Sequence, residues 1–209
     1  MRTSVVALLA LLAATNAHAS ATPCRLDVWP AGKTLAVIYY DPFRQSHDRP
    51  FLVADGRNPE PQALTPAHQL AVLRSLDLTR LLALPADTTI VFHDEPLPRL
   101  SAVQPVRHVP ATTPCQAELA VTTFVYENAI YTAPALRLML NFREFAPGEP
   151  SPSRSFGGSA IGKLLIFPAR RDDQRDAAIA DLEQAYRTAI TMFAANLAKS
   201  AVLQQRPGK

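Results

Sequence analysis

The chain has 209 residues, 48% hydrophobic and 19% charged, a balance that supports one folded domain with its own core and excludes a solvated acidic or basic tail. Its formal net charge is +3, and losing an N-terminal leader that carries Arg2 and no acid lowers it by one. A charge this small gives no argument for nucleic acid or an anionic membrane as partner.

The first stretch reads as a targeting segment. Arg2 supplies a basic start, Val5 to Ala14 an apolar run, and Ala17-His18-Ala19 the small-x-small pattern cut by signal peptidase. The run is shorter than the roughly 20 apolar residues of a membrane span. The sequence therefore predicts a signal peptide over 1–19, cleavage near Ala19, a single domain over 20–203 and a flexible tail over 204–209. Pro23 before Cys24 departs from a lipobox, so the expected product is a periplasmic or secreted protein without a span.

Cys24 and Cys115 are the two cysteines, and each follows Thr-Pro and leads into a strand-like run. In an oxidising compartment an even count predicts one disulfide. Neither sits in a C-x-x-C pair or beside a histidine, so nothing points to redox or nucleophilic work.

In chain order, Arg25 to Trp29 and Leu35 to Tyr40 read as strands separated by Pro30-Ala31-Gly32. Phe43 to Gln62 is a proline-punctuated loop. Tyr39, Tyr40, Phe43 and Phe51 flank it and offer an aromatic groove for a small molecule. Thr65-Pro66 starts a helix over about 65–84, with a break near Ser75 where Asp77 caps a second turn. Thr88 to Phe92 form a strand closed by His93-Asp94-Glu95, and a proline-rich connection follows.

The strongest signal is a hairpin over about 115–145. Leu119, Val121, Thr123 and Val125 alternate with Glu118, Thr122 and Tyr126. In the second limb Leu136, Leu138, Leu140 and Phe142 oppose Arg137, Asn141 and Arg143, with Met139 among them. Glycines at 157–162 read as a turn into a short strand ending at Phe167, and a helix over about 173–199 carries Ile179, Leu182, Tyr186, Ile190, Phe193 and Leu197 on one face.

These elements make an α+β fold: a mainly antiparallel sheet with a long central hairpin, covered by two helices. From Thr65 onward the order helix, strand, hairpin, strand, terminal amphipathic helix resembles the anticodon-binding-like domains of periplasmic accessory proteins such as transport-associated lipoproteins. The resemblance implies an accessory role in envelope machinery and assigns no site residue.

Chemical motifs are sparse. Gly157 to Lys163 has P-loop spacing, but Leu164 stands where a hydroxyl must bind magnesium, and the segment enters a strand rather than a helix. His47, His68, His93 and His108 lack metal-ligand spacing, so neither metal nor cofactor is expected. His93, Asp94 and Glu95 are the candidates for acid–base catalysis, at a strand end. Arg137, Arg143 and Arg154 offer an anion-binding face that Glu118, Glu144 and Glu149 can neutralise. The reading is an exported non-enzymatic binding or accessory module of a cell-envelope complex, acting through a sheet edge or a loop surface. The alternatives are a small-molecule carrier using the aromatic loop, or an enzyme centred on His93, Asp94 and Glu95.

Overall fold

Alternation along the hairpin builds the centre of a six-stranded mixed sheet. The structure, a computed structural model, describes residues 24–32, 35–40, 64–129 and 133–204. The strands are β1 (Cys24–Trp29), β2 (Leu35–Tyr40), β3 (Thr89–Phe92), β4 (Cys115–Ala129), β5 (Ala135–Phe145) and β6 (Arg154–Lys163). The helices are α1 (Pro66–Arg74), α2 (Leu78–Leu81), α3 (Arg99–Val103) and α4 (Arg175–Gln204). The predicted leader, Phe43, Phe51 and the tail beyond Gln204 lie outside the described residues, as do the side chains of Tyr39 and Tyr40.

The sheet order is β3-β1-β4-β5-β6, with β2 also paired to β4. The expected antiparallel pairing holds for β4, β5 and β6. The other flank is a correction: β1 and β2 both run parallel to β4, at opposite ends of its length, and β3 runs parallel to β1. Parallel neighbours need long crossover connections. The segments carrying α1, α2 and α3 supply them between β1, β3 and β4. Cys24 and Cys115 face each other at the first paired position of β1 and β4 and are disulfide-bonded.

One face of the sheet holds the core. Leu26, Val28, Leu119, Val121, Leu136, Leu138, Leu140 and Phe142 are buried there with Phe124 and Tyr126. Those last two correct the strict alternation expected of the first limb. The register shifts between Val121 and Thr123, a bulge that inserts Thr122 and inverts the parity of every later side chain. Thr122 Oγ1 donates to Met139 O across the bulge at 3.1 Å.

Thr65 caps α1, accepting from His68 N at 3.2 Å, and Asp77 caps α2 by accepting from Arg80 N at 3.0 Å. The break expected near Ser75 separates two helices, and the second ends at Leu81 rather than 84. α3 lies inside the proline-rich connection, where no helix was expected. α4 lays Leu182, Tyr186, Ile190, Phe193 and Leu197 on the core as a buried stripe.

The glycine segment is a further correction. Gly157 to Lys163 is not a turn but the body of β6, which ends where the expected strand was to continue. The reason is tertiary. A Cβ on Gly162 would stand 2.0 Å from Ala185 O, so glycine there lets α4 approach the strand, and on the other face one on Gly157 would stand 2.6 Å from Asn141 Oδ1. After Lys163 the chain leaves the sheet. The amides of Leu165, Ile166 and Phe167 all donate to Asp181 Oδ2, at 2.8, 2.8 and 3.0 Å.

Candidate functional site

The face opposite the core is built from the alternate residues of the same strands. Strand periodicity puts Arg25, Asp27 and Trp29 of β1, Gln116 and Glu118 of β4, and Asn141 and Arg143 of β5 on this side. The connection from His93 through α3 to Pro114 folds over them.

Asp27 is fully buried and is the centre of the first cluster. It accepts from Arg25 Nη2 at 2.6 Å and from Gln116 Nε2 at 3.2 Å, and His93 Nε2 lies 2.8 Å away. The His93 ring stacks on Trp29, centroids 4.4 Å apart and planes 6° from parallel. Trp29 also meets the edge of His108 at 5.8 Å, which joins the first cluster to the second.

The second cluster centres on Glu118, also buried. The His108 backbone N–H donates to its Oε1 at 2.7 Å, and His108 Nδ1 lies 2.8 Å from its Oε2. Arg143 Nη1 stands 3.6 Å from the same oxygen. The Arg143 guanidinium and Asn141 Nδ2 both donate to Ala102 O, and His108 Nε2 donates to Ser101 O at 2.8 Å. These bonds suspend α3 from the sheet by its own carbonyls. Burial pushes the Arg143 guanidinium below its usual range, with the Glu118 charge opposing the shift. Buried charges persist only when paired and hydrogen-bonded, and here each has its partner.

Asp27 orients the His93 ring, and the Trp29 stack covers one ring face. The arrangement allows acid–base chemistry at the part-exposed ring edge. The three candidates drawn from sequence do not share one site. His93 enters the Asp27 cluster, Asp94 is exposed and 3.6 Å from Arg74, and Glu95 is exposed. His68 meets Glu183 at 2.6 Å, and His47 lies outside the described residues. Among the described residues no three His, Cys, Asp or Glu side chains form a metal-binding group. Arg137 pairs with Glu127, Arg154 with Glu144 and Arg143 with Glu118, so neutralisation of the arginine face takes Glu127 in addition to two of the expected acids.

Sequence reasoning missed Asp27, Trp29, Gln116 and the pairing of His108 with Glu118. The available signal was the i, i+2, i+4 series Arg25, Asp27, Trp29 opposite the apolar Leu26 and Val28, which marks a strand with a second covered face.

Above this network α3 and the segment after it expose apolar side chains. Leu100 is 78% exposed, Val103 57%, Val106 44% and Met139 40%. Met139 lies on the same face of β5 as Asn141, which holds α3. Elsewhere, a groove of about 550 Å³ lies between the end of the hairpin and the segment after β6, lined by Tyr126, Pro134 and Phe167 among others.

No family model matches the chain, and no curated protein does. Among solved structures, protein XCC0632 from Xanthomonas campestris, of the DUF330 family model, aligns with a TM-score of 0.41 and 13% identity, over 90% of this chain and 93% of that one. A protein of Caulobacter crescentus described as a candidate lipoprotein aligns at 0.29 and 16%, over 49% and 75%. The hypothetical protein CT253 from Chlamydia trachomatis aligns at 0.36 and 10%, over 86% and 94%. At these TM-scores the likenesses carry no argument about function, and the site stands on its own geometry.

Proposed function

We propose that this protein is an exported, non-enzymatic binding module of a cell-envelope assembly, in line with the accessory domains that its element order resembles. The observation that carries the reading is the exposed apolar group Leu100, Val103, Val106 and Met139, presented over a face whose charges are consumed in mutual pairing. Exposed apolar side chains grouped on one element mark interaction sites, and the bonds from Asn141, Arg143 and His108 hold α3 in place for docking. The Cys24–Cys115 bridge supports an oxidising compartment.

The test is site-specific photo-crosslinking in intact cells with the probe residue at position 103. The expected result is one adduct of defined mass, formed also with the probe at position 106 and lost there in the double variant Leu100→Ser/Val103→Ser. Absence of any adduct from both probe positions overturns the reading. A second reading, acid–base catalysis at His93, is favoured by the 2.8 Å contact with Asp27. It requires an activity that His93→Gln abolishes while folding is retained.

A further inference from the structure

β6 is an edge strand, and its outer side is open among the described residues. The amide of Leu164 donates to Pro134 O at 2.9 Å, and the register from Ala135↔Lys163 to Glu144↔Arg154 runs without a shift. Antiparallel alternation then turns the N–H and C=O of Phe156, Gly158, Ala160 and Gly162 toward β5. Those of Ser155, Gly157, Ser159, Ile161 and Lys163 turn outward. Proteins blunt such edges with proline, bulges or charge. This strand carries charge only at its two ends, Arg154 and Lys163, and the eight residues between them include no proline, bulge or charge.

We propose that the free edge of β6 is a docking site for an extended segment of a partner protein, added to the sheet as a further strand. The proposal rests on the reading of the protein as a binding module and names a surface separate from α3.

The placement of α4 decides between a partner strand and a second copy of this chain. α4 lies along β6: Ala185 sits over Gly162, Phe193 meets Phe156 with ring centroids 5.2 Å apart, and Arg154 donates to Leu197 O at 3.3 Å. A two-fold axis normal to the sheet between paired β6 edges would set two helices centred over those strands about one strand spacing apart, roughly 4.8 Å. Packed helices need about 8 to 10 Å between axes. A bare strand has no such conflict.

The edge also defines the chemistry of the strand. Glu183 and Arg187 mark the flank of α4 that faces α1, through His68 and Ser75, and helix geometry puts Met192, 42% exposed, on the opposite flank. Incoming side chains on that side meet Met192 and Phe156 and must be apolar. Those on the other side meet Ser155, Ser159 and Ile161. Lys163, exposed and without an ion pair among the described residues, fits an acidic residue at that end of the strand.

The experiment is amide hydrogen exchange by NMR on the full mature chain. The probe is a synthetic nine-residue peptide alternating valine and threonine, with glutamate at both ends. In the free protein the amides of Ser155, Gly157, Ser159, Ile161 and Lys163 should exchange at least about a hundredfold faster than those of Phe156, Gly158, Ala160 and Gly162. Millimolar peptide should slow the outward set by about tenfold or more. Ser159→Pro removes one outward N–H, a substitution edges tolerate, and should abolish the slowing while the inward amides stay protected. If that variant does not fold, Ile161→Lys should weaken peptide binding by about tenfold. Outward amides already protected in the free protein overturn the proposal, as does protection that grows with protein concentration, the mark of a second copy. Peptide that leaves the outward set unprotected, or protects Ser159→Pro equally well, also overturns it. Leu100→Ser should leave edge protection unchanged, so failure of the α3 surface and failure of the edge are read separately.

Discussion

The two faces of one sheet are held by different physics. Toward α1 and α4, Leu26, Leu119, Leu138 and Phe142 are buried among aliphatic and aromatic side chains, and the cohesion is non-directional and proportional to area. Toward α3, the buried residues are Asp27, Gln116, Glu118 and Arg143, and cohesion depends on named partners at fixed distances. An apolar face degrades gradually when a side chain shrinks. A paired-charge face fails when one partner leaves, because the other keeps its desolvation cost.

The sharpest way to break the comparison is a matched pair of truncations. Phe193→Ala should lower stability by about 3 to 5 kcal/mol, and Glu118→Ala by a similar amount, about 3 to 5 kcal/mol. The faces separate under conservative replacement. Phe193→Leu should recover a large part of the loss, whereas Glu118→Gln, with nearly the same volume, should still leave Arg143 without a counter-charge. Urea unfolding of the four variants checks this; equal recovery by both conservative variants would erase the distinction between the faces.

Next in size is the bridge that ties β1 to β4. Its cysteines are separated by 91 residues, and replacing both with serine should cost about 2 to 4 kcal/mol. The urea midpoint of the double variant, compared with the oxidised parent, measures it.

The smallest effect lies within the core face. Burial pushes the Tyr186 phenol well above its ordinary value, where its hydroxyl donates to Gln69 Oε1 at 3.3 Å. The folded state therefore favours the protonated phenol. Its contribution is complete below the unfolded value near 10 and falls as pH rises beyond it, by about 1.4 kcal/mol per unit. Tyr186→Phe should remove that part of the alkaline slope, at a cost of about 1 kcal/mol near neutrality for the lost hydrogen bond. Parallel slopes for parent and variant above pH 10 would contradict it.

What was legible in the sequence follows the same division. The hairpin limb Leu136 to Phe142 and the α4 stripe announce themselves because apolar burial writes a period into neighbouring residues. The helix break at Ser75 and Asp77 and the Cys24–Cys115 bridge are likewise local signals. The Asp27 cluster writes no such period. His93 lies 66 residues from Asp27, and only the parallel pairing of β1 with β3 brings them together. The bulge at Thr122 was invisible because one inserted residue leaves composition unchanged while inverting parity. Gly157 and Gly162 imitate a turn because their causes, Asn141 on one face and the approach of α4 on the other, are tertiary.

The central claim is that the charges of the second face exist for one another. A double-mutant cycle on Glu118 and Arg143, read by urea unfolding, tests it most directly. Glu118→Ala alone should cost about 3 to 5 kcal/mol. Adding Arg143→Met should return at least about 1 to 2 kcal/mol of that loss, because no unpaired guanidinium is then left buried. Additive losses in the double variant would show that the two side chains act independently, and would contradict the account.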